Sequence, residues 1–301
     1  SSDLASPAQW YTHDEVEERD DPPFYIVDKD TKFKKRAFEE VFDFLCERHV
    51  FPEIGIYRAS ALRSAWVPRN FAYWAFAYLA HFLEQGAVAF LRKPFYRQVT
   101  RSKIARDRPQ AGHADVLTAW DSYRGGLEYF LYSGAKRGAV RLTPERRAYL
   151  DAQVRDFTML RMTVALRMWI AKKDYIRAYE LYTRLMLGGF EHHPELQRSK
   201  GILPLMVALQ TVMWHTNSVA EIDRLVLHGV DDYGAIEELL RDLGLRSHLA
   251  VVPGTTELTP EEIARTAVFV TVDSDRKHYL RKGHLPNLVV SESDILNHVL
   301  L

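Results

Sequence analysis

Residues 143–189 read TPERRAYLDAQVRDFTMLRMTVALRMWIAKKDYIRAYELYTRLMLGG, and the fold class turns on that stretch. Thr143-Pro144-Glu145 is a helix start: a hydroxyl to cap free N–H groups, a proline at the first helical position and an acid facing the positive end of the helix dipole. Leu150, Val154, Phe157, Leu160, Val164 and Met168 then recur at helical steps, which predicts a helix to about Ile170. Asp174 caps a second helix with the stripe Tyr175, Ala178, Tyr179, Tyr182, Leu185 and Met186, and Gly188-Gly189 stops it. A connection this short implies antiparallel neighbours, with Val164, Met168, Ala178, Tyr182 and Leu185 expected in their interface.

Outward from there the same signals recur. Upstream, Phe38, Val41, Phe42 and Leu45 predict a helix closed by Pro52; aromatic helices are expected over 71–85 and 115–132. Downstream, 204–216 reads as an apolar helix. Ser218-Val219-Ala220-Glu221 is a capping box for a helix closed by Gly229, and 232–243 repeats the pattern. Thr259-Pro260-Glu261-Glu262 opens a short helix, 268–272 is a lone strand or that helix continued, and 293–300 is a last short helix. The expected fold is therefore all-α: antiparallel helical hairpins, helical-repeat-like or an irregular bundle, with at most a minor strand near the C-terminus. Its expected parts are an extended acidic arm at 1–28, a helical domain at 29–246 and a C-terminal extension at 247–301.

Residues 158–194, TMLRMTVALRMWIAKKDYIRAYELYTRLMLGGFEHHP, resemble one unit of the tetratricopeptide and pentatricopeptide helical-repeat families. The resemblance implies that small Ala178 lets paired helices approach and that the Leu-Gly-Gly element ends the second helix. Weaker echoes lie at 203–228 and 38–53, at uneven spacing. What is implied is a helical-repeat-like scaffold, with no base-reading residues carried over.

The chain has 301 residues, 47% hydrophobic and 27% charged, enough for one large domain or two modest ones. Forty Lys plus Arg balance forty Asp plus Glu, so no net field favours nucleic acid or an anionic membrane. A single cysteine, Cys46, excludes an internal disulfide and a multi-cysteine zinc site. Residues 71–91 have the length of a membrane span, but His81, Glu84 and Gln85 interrupt it, so a buried aromatic helix ending near Gly86 is expected. In the arm, Asp14, Glu15, Glu17, Glu18, Asp20 and Asp21 repel one another and Pro22-Pro23 enforces extended backbone. The arm is expected to run along another chain or across the protein's own basic face, and to leave the body's melting temperature unchanged when removed. That face is the run Arg92, Lys93, Arg97, Arg101, Lys103, Arg106 and Arg108, opposed only by Asp107.

No phosphate-binding glycine loop, His-Glu-x-x-His or Gly-x-Ser-x-Gly is present. His192-His193 reads as loop polarity, Asp273-Ser274-Asp275 as a turn and helix cap, and Cys46 as a small core residue. No catalytic residue, cofactor or metal is expected. The candidate interaction residues are Trp10, Tyr11, Trp74 and Tyr78 with the seven cations of 92–108, since aromatic and arginine side chains dominate subunit contacts. These features suggest a non-catalytic accessory subunit of a multisubunit assembly. A chain that starts Ser1-Ser2 fits removal of a mitochondrial transit peptide, and the charge balance fits an energy-converting membrane complex (ATP synthase or respiratory chain). The alternatives are an RNA-binding helical-repeat protein or mitochondrial ribosome subunit, a cytoplasmic location, and a helical enzyme with an unrecognised site. The basic run would meet other subunits, anionic lipid head groups or RNA.

Overall fold

β1 (Asp3–Pro7), in the segment expected to be an extended acidic arm outside the core, is an inner strand of a four-stranded sheet. It pairs antiparallel with β5 (Gly55–Tyr57) and parallel with β6 (Ala87–Phe90), whose other side is taken by β4 (Thr31–Phe33). Ala5 and Ala8 are buried. In this computed structural model the described residues are 3–65, 72–104 and 116–294, and the chain divides into two compact units, Ser1–Val164 and Ala165–Leu301.

In the first unit a second, three-stranded sheet joins β2 (Tyr11–Asp14) to β3 (Arg19–Asp20) and, in parallel, to β7 (Arg97–Arg101). α1 (Phe38–Arg48), α2 (Ala59–Arg63), α3 (Trp74–Gln85), α4 (Trp120–Lys136) and the first part of α5 (Pro144–Ala171) complete the unit. α3 ends where Gly86 turns extended, and β6 follows at once, so residues 74–90 are a helix and an inner strand. No described helix is long and apolar enough to cross a membrane. The core interlocks aromatic rings: Phe51 lies 5.1 Å from Tyr123 and 5.0 Å from Phe157, with Tyr73 and Phe76 completing the group. Gly126 lets α4 approach α3, since a Cβ there would come 2.9 Å from Phe76 and 3.1 Å from the Tyr73 carbonyl.

The second unit holds the end of α5, then α6 (Tyr175–Leu187), α7 (Pro194–Ser199) and α8 (Leu203–Ser218). β8 (Arg224–His228), α9 (Tyr233–Asp242), β9 (Ala250–Pro253), α10 (Pro260–Ile263), β10 (Thr266–Val270), α11 (Asp273–Arg281) and β11 (Val289–Ser291) follow in strict alternation. The four strands are parallel, in the order β9-β8-β10-β11. Leu225, Leu227, Ala267 and Phe269 face the core shared with α8 and α9; Val226, Val268 and Val270 face α11. All five residues of β10 are buried, as a strand covered by helices on both faces requires.

The expected all-α fold is therefore overturned: among the described residues, sheets of four, four and three strands stand with the helices in an α/β architecture. The helix expected after Ser218 does not form. The Arg246 guanidinium donates to the carbonyls of Thr216, Val219 and Ile222 at 2.7–3.1 Å, which ends α8, and the chain enters β8 instead. The boundary between the units falls inside the long helix 144–171, not at 28 or 246. Ala178 and Leu185 are fully buried and Tyr182 is half-buried, but in the second half of α5 Met162, Ala165, Leu166 and Trp169 form the buried stripe, so Val164 and Met168 sit at its margin. α6 packs chiefly on α8, where buried Gln210 receives the Tyr175 and Ile176 N–H groups at 2.8 and 3.1 Å. The Thr259–Glu262 capping box and the Asp174 cap form as expected.

Candidate interaction surface

The acidic turn after β2 meets Arg101 because β2 and β7 run parallel from Tyr11 opposite Arg97, and a register shift after His13 sets Asp14 opposite Arg101. Arg101 donates to Asp14 at 2.6 Å and also reaches Glu17, while Lys103 bonds Glu18 at 2.5 Å. Burial works against the Asp14 charge. The Arg101 guanidinium and the Glu17 and Val16 N–H groups outweigh it and hold the carboxyl below the ordinary range. The Ser102 hydroxyl, then the Lys103 N–H, lower Glu15 in the same way. Two cations of the expected basic face are thus answered inside the first unit. Arg92, Lys93 and Arg97 project to solvent; Arg106 and Arg108 lie outside the described residues.

The aromatic candidates divide similarly. Trp10 is buried and Tyr11 half-buried. The Trp10 ring stacks on Phe24 at 4.0 Å and meets Tyr96 edge-on at 6.2 Å. Phe24 and Tyr96 are themselves 43% and 41% exposed, so they carry the accessible aromatic area that the sequence reading assigned to Trp10. Trp74 opens α3 and is 44% exposed, 6.1 Å from half-buried Tyr78 one turn later. These two places are exposed aromatic groups on a folded scaffold, one on a helix face and one where the connecting segments of Trp10, Phe24 and Tyr96 meet.

The carboxyl end of the parallel sheet in the second unit was missed. Strand order reverses between β8 and β10, which is where open α/β sheets place ligands. A crevice of about 310 Å³ lies there, lined by Gly229, Asp231, Asp232, Phe269, Thr271 and Glu292 among others. Gly229 takes φ +77° and its carbonyl receives the Thr271 hydroxyl, while the Asp232 carboxylate accepts the Ala235 N–H to start α9. On the opposite face His228, the last residue of β8, places Nδ1 2.9 Å from the Tyr279 hydroxyl and Nε2 3.4 Å from Asp275. The Tyr279 hydroxyl donates to the Gly254 carbonyl as well as meeting His228, so one phenol ties β8, the turn after β9 and α11 together. Burial pushes the Tyr279 phenol up. The signal that could have found this end is the short apolar run 225–227 closed by His228-Gly229. It was masked by the apparent capping box at Ser218, whose hydroxyl in fact bonds back to the His215 carbonyl.

His193 caps α7, Asp273 and Asp275 open α11, and burial pushes the Cys46 thiol up to about 12, far from a reactive thiolate. Among the described residues no group of three or more His, Cys, Asp or Glu is placed to hold a metal ion. No family model matches the chain, and neither a curated protein nor a solved structure matches it.

Proposed function

We propose that the protein is a non-catalytic accessory subunit of a larger assembly, engaged through the exposed aromatic groups of its first unit. The observation that carries this is the pair of accessible aromatic clusters, Trp74 with Tyr78 on α3 and Phe24 with Tyr96 over Trp10. Large aromatic side chains left half-exposed on a rigid helix or strand are the anchors that subunit interfaces desolvate. The closure of Arg101 and Lys103 by Asp14, Glu17 and Glu18 supports a protein-facing role over an RNA-facing one. The balanced net charge supports it too, and the assembly class we propose is an energy-converting membrane complex of mitochondria. A second reading, a ligand-binding or catalytic module, is favoured by the crevice where strand order reverses in the second unit.

Native electrophoresis of the endogenous protein, with mass spectrometry of the species it migrates with, tests the proposal. Wild-type protein should migrate in a multiprotein species that fractionates with mitochondrial membranes. Trp74→Lys combined with Phe24→Lys should shift it to a free chain with an unchanged melting temperature. Migration of the wild type as a lone 35 kDa chain would sink the subunit reading.

A further inference from the structure

A second cavity, unrelated to the aromatic clusters, lies in the second unit between α8 and the β10–β11 side of the sheet. Its volume is about 350 Å³, within the range of small-molecule sites. Val212, Leu225, Ala267, Leu288 and Val290 make most of its wall apolar. Its polar groups are few and unusual. Thr211 and Thr216 both line it from α8, and both hydroxyl oxygens are buried with no hydrogen-bond partner. Thr216 is 1% exposed. A threonine inside a helix ordinarily turns its hydroxyl back onto the carbonyl three or four residues earlier, as Thr158 and Thr163 do in α5. Neither cavity threonine does so. At the rim the Arg276 guanidinium is bound to Asp294 at 2.6 Å through Nη1, while its Nε–H is buried and unpartnered.

Buried donors without acceptors are rare in folded proteins, and three around one apolar space indicate what would fill it. The Arg276 charge is already answered by Asp294, so a second anion would face a carboxylate. We infer that this cavity binds an uncharged, mainly apolar small molecule carrying one or two oxygen acceptors, such as a ketone or a hydroxyl on a ring system. An oxygen would accept from the Thr216 or the Thr211 hydroxyl, or from Arg276 Nε at the rim, and the apolar body would lie against Val212, Leu288 and Val290. This site is independent of the assembly role proposed above; either can fail without the other.

The probe is 6-propionyl-2-(dimethylamino)naphthalene, an uncharged naphthalene ketone whose emission shifts to the blue in apolar surroundings, titrated into the full chain. Saturable binding of one dye per chain is expected. Thr211→Val with Thr216→Val should weaken it about fivefold, the loss expected of one neutral hydrogen bond, without lowering the melting temperature. Val290→Phe, on the half-buried edge strand, should abolish it by filling the space; if that variant does not fold, the threonine pair decides. Octanoate, an apolar anion, should not compete. Absence of saturable binding, binding that both variants leave unchanged, or displacement by octanoate would overturn the inference. So would binding by a chain ending at Asp294 when the full chain binds none, which would assign the space to the chain's own residues 295–301.

Discussion

The two units bury their cores by different means. The first interlocks large rings: Phe38, Phe42, Phe76, Phe82, Phe90, Tyr123, Phe130 and Phe157 are almost wholly buried and meet largely at edge-to-face or tilted angles. The second lays small aliphatic side chains on both faces of a parallel sheet, with Phe269 as its one large fully buried ring among the described residues. Rings concentrate burial in a few residues, each holding several neighbours at fixed angles. Aliphatic strands spread it thinly but leave no polar exit on either face. The first core should therefore be sensitive to truncation and the second to polarity.

Two substitutions would break that contrast if it is wrong, and they have the largest expected effects. Val268→Asp puts a carboxylate into a strand covered on both sides, and should cost more than about 4–5 kcal/mol, enough to unfold the second unit. Phe76→Ala should cost about 3–5 kcal/mol in the first. Hydrogen exchange read on peptides of each unit locates the loss. A mild Val268→Asp would mean that the sheet is open on one face.

The next effect sharpens the contrast through pH. His49, 51° in φ at the end of α1, lies 4.4 Å from the Phe157 ring and 5.3 Å from Phe51, with neither ring nitrogen partnered. Arg161 sits over Phe51 at 4.7 Å. Burial first, then the Arg161 charge, pushes the imidazole down to about 4. The folded unit thus holds His49 neutral while the unfolded chain protonates it near its ordinary 6.5. Stability present above pH 6.5 should be lost as pH falls towards 4, by about 3 kcal/mol in all. His81 is lowered in the same unit, but it is far less buried and adds less. Urea midpoints measured between pH 7 and 4.5 should fall for the wild type and less steeply for His49→Gln. Parallel slopes would place the pH dependence elsewhere.

The smallest expected effect tests the joint of α6 and α8. Gln210 accepts two N–H groups at the start of α6 and donates to the Lys173 carbonyl at 3.1 Å. Gln210→Ala leaves those groups buried without a partner and should cost about 1–3 kcal/mol, seen as faster exchange confined to the amides of residues 175 and 176.

Helices were legible because their signals are local: the Asp174 cap, the Thr259–Glu262 box and the stop at Gly86 all stand where the sequence put them. The sheets were not: the β-branched run at 268–272 left a strand open as one of two readings and overlaps β10, but a single local mark says nothing of pairing partners. β1 reads Asp-Leu-Ala-Ser-Pro, without a β-branched residue, and is a strand only because β5 and β6 supply its partners. The parallel strands are short apolar runs that fit a buried helix equally well, and at β8 a false capping box tipped the reading. Of the exposed aromatic side chains, Trp74 and Tyr78 could be read from their helix. Phe24 and Tyr96 could not, since their exposure depends on Trp10 being covered by both.

The place of β1 also sets a timetable. Asp3 pairs with Ala87 and Ala5 with Val88, so β1 leaves the ribosome more than 80 residues ahead of its parallel partner. At about 5–20 residues per second, that is roughly 4–16 s of synthesis in which β1 can have only β5 beside it. The helices between can form in that interval, but the first unit cannot close. A deletion that reaches residues 3–7 therefore acts on the sheet's interior, and removing residues 1–28 should leave the first unit unable to fold, where a loose appendage would have left its melting temperature untouched.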